Sequence, residues 1–219
     1  MKKRISYSCL KTYLFTALEV LAISLLFFQS TAFKPSFLPG KTYRIGERSV
    51  LKLEGKTNVN DFTCRCTEML PTQTYYLEKL DDGKCTTVFR ETSLQMKVKS
   101  LDCGNKLMNK DMYDALNYKA FPHIKIELVK VSENKCNRLT EQKDWVQVTS
   151  LVKITLNGKT NEYSLNVAAQ KTARNLYRFI GQKTLCMSDF GITPPVAVMG
   201  MVKVKDEIMI SLDLEVTVE

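Results

Sequence analysis

Apolar and polar residues alternate along much of the chain, most clearly near its C-terminus. From Ile208 to Val218 every even position is Ile, Leu or Val, and the odd positions are polar apart from Met209. Because successive side chains of a strand point to opposite sides, this segment is predicted to be a strand with one buried face. The same alternation recurs at 94–98, 124–128, 152–156 and 163–167.

The way these segments are joined predicts the fold class. Asn157 and Gly158 separate two alternating segments, and this pair accepts the positive φ angles that a tight hairpin requires. None of the segments is apolar on both faces, as a parallel sheet covered by helices would demand. We therefore expect an all-β fold, either a sandwich or an antiparallel barrel of about eight strands. A barrel of that size is filled by side chains or holds one small ligand.

One segment has helical rather than alternating spacing. Apolar residues recur at helical intervals between 108 and 116, with Asn109 as the predicted N-cap. Pro122 prevents the helix from continuing into the next strand. A second short turn is predicted to begin at Ser188-Asp189, whose side chains suit an N-cap.

The first 32 residues have the features of an export signal. Basic residues precede an apolar run over 12–28, which Glu19 interrupts, and Ser30-Thr31-Ala32 supplies small residues for signal peptidase. The alternative is a membrane anchor, but the apolar part after Glu19 is too short to span roughly 30 Å of hydrocarbon. We predict a signal peptide at 1–32, cleavage near Ala32, and one domain at 33–219 that is periplasmic or otherwise exported.

Charge and cysteines narrow the choice of partners. The chain has a formal charge of +9, but no nucleic-acid-binding motif accompanies the basic residues, so we expect no nucleic-acid partner. Six of the seven cysteines lie after the predicted signal, and an even number in an exported chain favours disulfides. No C-x-x-C spacing occurs and there is a single histidine, so no metal site is predicted.

The only histidine, His123, is the first candidate for a catalytic base. The apolar residues beside it are Ile124, Ile126 and Leu128, so His123 is predicted to lie on the opposite, outer face of its strand. No G-x-S-x-G motif occurs, and Asp189 in S-D-F-G lacks the other motifs of a kinase, so it is interpreted as a turn cap. We therefore predict no catalytic residue and no cofactor.

A redox role for the cysteines is also disfavoured. Cys64 and Cys66 lie two positions apart and share one face of a predicted strand. This arrangement suits two separate bridges better than an attacking and a resolving thiol. Cys64 and Cys103, each at the end of a predicted strand, are the first candidate disulfide.

Three motifs follow one another in a recognisable order. N-K-D-M-x-x-A-L leads into F-P-x-I-x-I over 109–126, L-x-G-x-T spans 156–160, and M-S-D-F-G-I spans 187–192. Over residues 45–218 the chain resembles the YceI-like family of exported lipid- and polyisoprenoid-binding proteins. It departs from that family at Met187, where a basic residue is frequent, and in the R-D-x-H-L motif before the helix, whose His is missing.

The resemblance implies an antiparallel lipocalin-like barrel with one or two short helices near its mouth, and binding rather than catalysis. The implied partner is a long-chain isoprenoid or another apolar lipid held inside. The alternative is a cell-envelope scaffold protein with a filled core and no ligand, and an exposed edge strand would also allow a homodimer. The candidate ligand contacts are the inward positions Met96, Val98, Ile124, Ile126, Leu128, Ile154, Leu165, Phe190, Ile210 and Leu212.

Overall fold

The computed structural model describes residues 41–68, 73–80, 85–136, 138–141 and 143–219, so the predicted signal peptide lies outside the described residues. The helices are α1 (Lys106–Ala115) and α2 (Arg138–Glu141). The strands are β1 (Lys41–Ile45), β2 (Val50–Thr57), β3 (Asp61–Cys66), β4 (Gln73–Leu80), β5 (Thr86–Arg90), β6 (Ser93–Lys97), β7 (Leu101–Asp102), β8 (His123–Glu133), β9 (Val146–Leu156), β10 (Lys159–Ala173), β11 (Leu176–Cys186), β12 (Val196–Ala197) and β13 (Val202–Val218).

The strands close into an antiparallel barrel, which confirms the predicted fold class. Eight of them form a ring in the order β1-β4-β5-β8-β9-β10-β11-β13, and β13 pairs back with β1. The closing pair places Tyr43 opposite Val218. Closure gives each ring strand a partner on both sides over at least part of its length.

Two long strands each divide one edge between two shorter partners. Residues 204–213 of β13 pair with β2, whereas residues 216–218 pair with β1. Residues 123–127 of β8 pair with β6, and after an irregularity near residue 129 residues 130–132 pair with β5. The barrel therefore has a closed end, formed with β1, β4 and β5, and a mouth end, formed with β2, β3, β6 and β7.

The closed end is filled by aromatic side chains. Tyr43, Tyr75 and Val216 are buried there, with Phe89 and Phe179 packed against them. The Tyr43 hydroxyl oxygen lies 2.7 Å from the carbonyl oxygen of Ser93, to which it donates. Burial raises the pKa of Tyr43, so its hydroxyl remains a donor at neutral pH. This end of the barrel is a packed core.

Strand parity agrees with the alternation in the sequence. Along β9 every second residue from Val146 to Ile154 is buried. His123 is exposed at the start of β8, as predicted. Asn157 and Gly158 adopt φ angles of 50° and 73° in the turn between β9 and β10, which confirms the predicted hairpin.

The start of α1 differs from the prediction. Asn105, not Asn109, is the N-cap, and its side chain accepts hydrogen bonds from the backbone N–H groups of Leu107 and Met108. Gly104 precedes it with a φ of 76°, and this left-handed residue turns the chain so that the helix begins one turn earlier. Asn109 lies within the helix, where its side-chain oxygen accepts from the N–H of Cys103 at 2.7 Å.

Neither α1 nor α2, the helices of the described part of the chain, is long and apolar enough to span a membrane.

Candidate ligand-binding cavity

A cavity of about 360 Å³ lies at the mouth end of the barrel. One side of α1 forms part of its wall, and inward residues of β2, β3, β8, β9 and β13 form most of the rest. The wall is almost entirely apolar. Of the lining side chains, four carry an oxygen or nitrogen atom: Thr57, Asn60, Asn105 and Asp111. Thr57 ends β2 and Asn60 follows in the β2–β3 turn, whereas Asn105 caps α1 and Asp111 lies in the middle of that helix.

The structure brings six of the ten candidate ligand contacts to the cavity wall. The other four do not line this cavity. Val98 follows the end of β6 in a one-turn 3-10 helix and is buried, Leu165 is buried in the core, Leu128 packs against the core, and Leu212 lies outside the lining. The six that line the cavity are Met96, Ile124, Ile126, Ile154, Phe190 and Ile210.

The helix contributes lining residues that the candidate set omits. Leu107, Met108, Met112 and Ala115 of α1 all face the cavity. Met108 and Met112 belong to the helical apolar spacing between 108 and 116 that predicts the helix. Met112 and Ala115 also touch the buried core, so one face of the helix serves both purposes. Methionine side chains are flexible and adapt to irregular apolar shapes.

A disulfide fixes α1 over the cavity. Cys64, fully buried in β3, is bonded to Cys103, which precedes the helix cap, and this confirms the predicted pair. Both cysteines line the cavity. The Asp102 carboxylate accepts from Gly104 N–H at 2.9 Å and from the Asn109 amide at 2.8 Å. Both hydrogen bonds hold the pKa of Asp102 below its ordinary value, and the bond from Asn109 has the larger effect.

The sequence left the partners of the remaining cysteines open. Cys85 and Cys136 form a second disulfide between the chain before β5 and the chain after β8, away from the cavity. Cys66 and Cys186 are free thiols, so the suggestion that Cys64 and Cys66 each form a bridge is wrong for Cys66. Cys186 lines the cavity, and burial is the main cause of its raised pKa.

The M-S-D-F-G-I motif forms a compact turn that inserts an aromatic ring. Residues 187–190 make one 3-10 turn, and the Phe190 side chain is fully buried at the cavity wall. Gly191 follows in the left-handed region with a φ of 65°, which suits glycine at such a cap. The turn places one rigid side chain against the apolar wall.

The carboxylates near this turn accept hydrogen bonds that differ from the predicted cap. Asp206 accepts from the Ser188 backbone N–H at 2.8 Å and from its hydroxyl at 2.5 Å, and these bonds lower the pKa of Asp206. The Asp189 carboxylate instead accepts from the Tyr163 hydroxyl at 3.2 Å. The interpretation of Asp189 as a turn cap is therefore wrong, because the 3-10 turn has no side-chain cap.

The cavity wall is apolar and carries almost no charge. None of its described lining residues is a Lys, Arg or His, and Asp111 is the one carboxylate among them. Met187, at the position where a basic residue was expected from the resemblance, lines the wall with a thioether. Across the described ranges, no three His, Cys, Asp or Glu side chains are grouped so as to hold a metal ion. The wall can therefore remove the apolar surface of a ligand from water, but it offers very little charge for an ionic contact.

Comparison with known proteins places this geometry in a family. The family model of the YceI-like domain matches residues 74–216. The crystal structure of BcnA from Burkholderia cenocepacia has a TM-score of 0.55 at 17% identity, covering 76% of this chain and 95% of that one. The structure of a polyisoprenoid-binding domain from Saccharophagus degradans, implicated in plant cell wall breakdown, has a TM-score of 0.60 at 9% identity, covering 81% and 98%. No curated protein matches the chain. At these identities the two structures show that the fold is shared.

The two disulfides provide a matched test of what fixes α1. We expect Cys64→Ala/Cys103→Ala and Cys85→Ala/Cys136→Ala each to lower the free energy of unfolding by about 2–4 kcal/mol, since the bonded residues are 39 and 51 positions apart. In hydrogen-exchange mass spectrometry, only the first double variant should lose protection in α1, because only its bond touches the helix. Equal exchange of α1 in both double variants would contradict this role.

Proposed function

The chain belongs to the YceI-like domain family, and from this premise we propose that it binds a long apolar lipid of the isoprenoid type in the mouth-end cavity. The apolar cavity of about 360 Å³ is the observation that carries the proposal. Its size lies within the range of small-molecule sites, which are concave and mostly apolar with a few polar groups. The polyisoprenoid-binding domain of similar fold adds support for this ligand class.

The binding energy would come from removing the chain from water. Each buried CH₂ group contributes about 0.8 kcal/mol, so about ten buried groups contribute about 8 kcal/mol before the costs of association. Met108 and Met112 let the wall adjust to a branched chain. Affinity of this kind needs no charged contact, which fits a wall whose one charged side chain is Asp111.

Binding without catalysis is the proposal that the lining residues favour. A general acid–base pair or an activated nucleophile requires two or more polar groups within reach of the substrate. Asp111 has no second carboxylate and no histidine beside it among the described lining residues. The scaffold alternative required a filled interior, and a cavity at the mouth end speaks against it.

Filling the cavity tests the proposal. We expect Ala115→Phe, on the cavity face of α1, to weaken binding of a fluorescent polyprenol by about tenfold or more, because its ring occupies the space of several CH₂ groups. Ala168→Phe is the matched control, since Ala168 lies between inward-facing residues of β10 and outside the cavity lining. The measurement is a fluorescence titration in lipid-free buffer. Failure of the unmodified protein to bind any apolar probe would overturn the proposed function.

The few polar residues of the cavity lining favour one kind of head group. A phosphate or pyrophosphate drawn inside the cavity would meet the Asp111 carboxylate and no basic lining residue. Burying an unpaired anion beside a like charge is unfavourable. Thr57, Asn60 and Asn105 can instead exchange hydrogen bonds with a hydroxyl or a carbonyl. We therefore propose a neutral head group, such as that of a prenyl alcohol or quinone.

Paired ligands test this selectivity. A polyprenol should bind at least about tenfold more tightly than the phosphate of the same polyprenol. Asp111→Asn should narrow the difference by removing the like charge, whereas Asp114→Asn, which removes an exposed carboxylate of the same helix outside the cavity lining, should not. Competition titrations of both ligands measure the ratio. A preference for the phosphate would refute the neutral head group without affecting the proposal of an apolar chain.

We also propose that the protein acts after export, in the periplasm or another exported compartment. Two disulfides fit an oxidising environment, and the leader features of residues 1–32 fit removal by signal peptidase. The intact mass of the exported protein should correspond to a chain starting at Phe33 with both disulfides formed. A mass that retains the leader, or reduced thiols at Cys64 and Cys103, would contradict this proposal.

A further inference from the structure

Exposed apolar side chains are concentrated around the opening of the cavity. Of the nine large apolar side chains that are exposed within the described ranges, five belong to this region. They are between 58% and 104% exposed, well above the others. We call them the mouth rim: Val59, Leu107, Val196, Met199 and Met201.

Backbone contacts hold the parts of the rim together. Val59 lies in the β2–β3 turn, next to Asn58, whose side chain donates to the Met201 carbonyl at 2.9 Å and accepts from the Lys203 N–H at 2.8 Å. Val196 pairs with Lys203 in the β12–β13 hairpin. Val59 and Leu107 also line the cavity. The β2–β3 turn and the β12–β13 hairpin thus form one surface beside the cavity, and Leu107 of α1 belongs to the wall of the same cavity.

The tip of the hairpin presents its side chain in an unusual backbone conformation. Met199 has a φ of 52°, and Gly200 follows with a φ of 93°. The left-handed region is rare for residues with a side chain other than Asn or Asp. Here it carries a fully exposed methionine at the end of the hairpin. A large apolar residue in a position that favours Gly or Asn is difficult to explain by folding alone.

The charges around the rim are mostly positive. From residue 190 to residue 205 the chain has two lysines and no acidic residue. Adding the β2–β3 turn and the first part of α1, residues 56–61 and 105–111, gives five lysines against two aspartates, Asp61 and Asp111. One of the five, Lys110, is ion-paired with Asp114 at 3.1 Å. Lys56, Lys106, Lys203 and Lys205 are exposed. The rim is thus an apolar surface with a positive border.

We propose that the mouth rim docks on an anionic phospholipid bilayer, so that the cavity opens toward the phase that holds its apolar ligand. The proposal rests on the proposed function for its purpose, although the docking itself does not require a bound ligand. Apolar side chains that enter the interface and lysines that remain among anionic head groups are the features of a surface-bound protein. A second copy of the chain fits less well, because a contact between two rims would bring like-charged lysines together.

Vesicle flotation tests the docking separately from ligand binding. The exported protein is mixed with vesicles of phosphatidylcholine, with or without phosphatidylglycerol, that contain no prenyl lipid. We expect association with the anionic vesicles, weakened by salt because exposed charges are screened. Met199→Asp/Met201→Glu should reduce association by about tenfold or more, since it places two carboxylates at the apolar tip. The same variant should bind the polyprenol probe normally in lipid-free buffer.

Val50→Glu/Ile180→Glu is the matched control. Both residues are exposed apolar positions of the barrel wall outside the cavity lining, and the double variant changes the net charge by the same amount. It should float with vesicles like the unmodified protein. A retained leader would hold all three proteins on vesicles equally, so the difference between the variants isolates the rim.

Three results would overturn the docking proposal. The first is no vesicle association of the unmodified protein, and the second is equal association of the rim variant and the control. The third is a dimer in light scattering that the rim substitutions abolish, which would make this face an interface between two copies. Docking on vesicles without polyprenol binding in solution would uphold the docking and overturn the proposed function.

Discussion

The backbone pairing of two long strands decides where this barrel is filled and where it is hollow. One edge of β13 pairs with β2 along one part of its length and with β1 along another part. One edge of β8 pairs in the same way with β6 and with β5. At the closed end the ring is completed by strand pairing, and Tyr43 and Tyr75 fill it. At the mouth end, chain connectivity through the turn between β6 and β7 completes the wall. The cavity lies at this end.

The elements at the mouth end depend on this division. α1 can cover the opening because Cys103, just before it, is bonded to Cys64 in β3. The turn containing Phe190 contributes the one fully buried aromatic ring of the cavity's described lining. Apart from Phe62 and the polar residues Thr57, Asn60, Asn105 and Asp111, the remaining wall is aliphatic or carries sulfur. The proposed binding, head-group selection and bilayer docking all rest on this one arrangement of the mouth end.

The alternation in the sequence predicted well which side chains point into the barrel. It did not predict the position of each residue along the barrel axis. The period of two identified Ile124, Ile154 and Ile210 as inward residues, and all three line the cavity. Leu165 obeys the same rule yet is buried in the core, because its height depends on register and stagger between strands. The strands β1 and β12 were not predicted, and the two residues of β12 are too few to display a period.

Predictions from the local sequence were wrong where two residues of the same type could fill the same role. Asn105 and Asn109 both suit a helix cap, and Gly104 decides between them through its positive φ. The pairing of Cys85 with Cys136 depends on β5 lying beside β8, which sequence spacing does not reveal. The mouth rim was also not predicted. Val196, Met199 and Met201 look like core residues in the sequence, and only the structure shows them exposed.

The central claim is that the mouth-end cavity holds an apolar ligand in the cell. The most direct measurement is mass spectrometry of an organic extract of the protein, purified without detergent from the cells that make it. The account predicts one neutral lipid with a long apolar chain, in an amount approaching that of the protein and reduced in Ala115→Phe. A protein that yields no lipid above the level of a mock purification, and that binds no apolar probe afterwards, would contradict it.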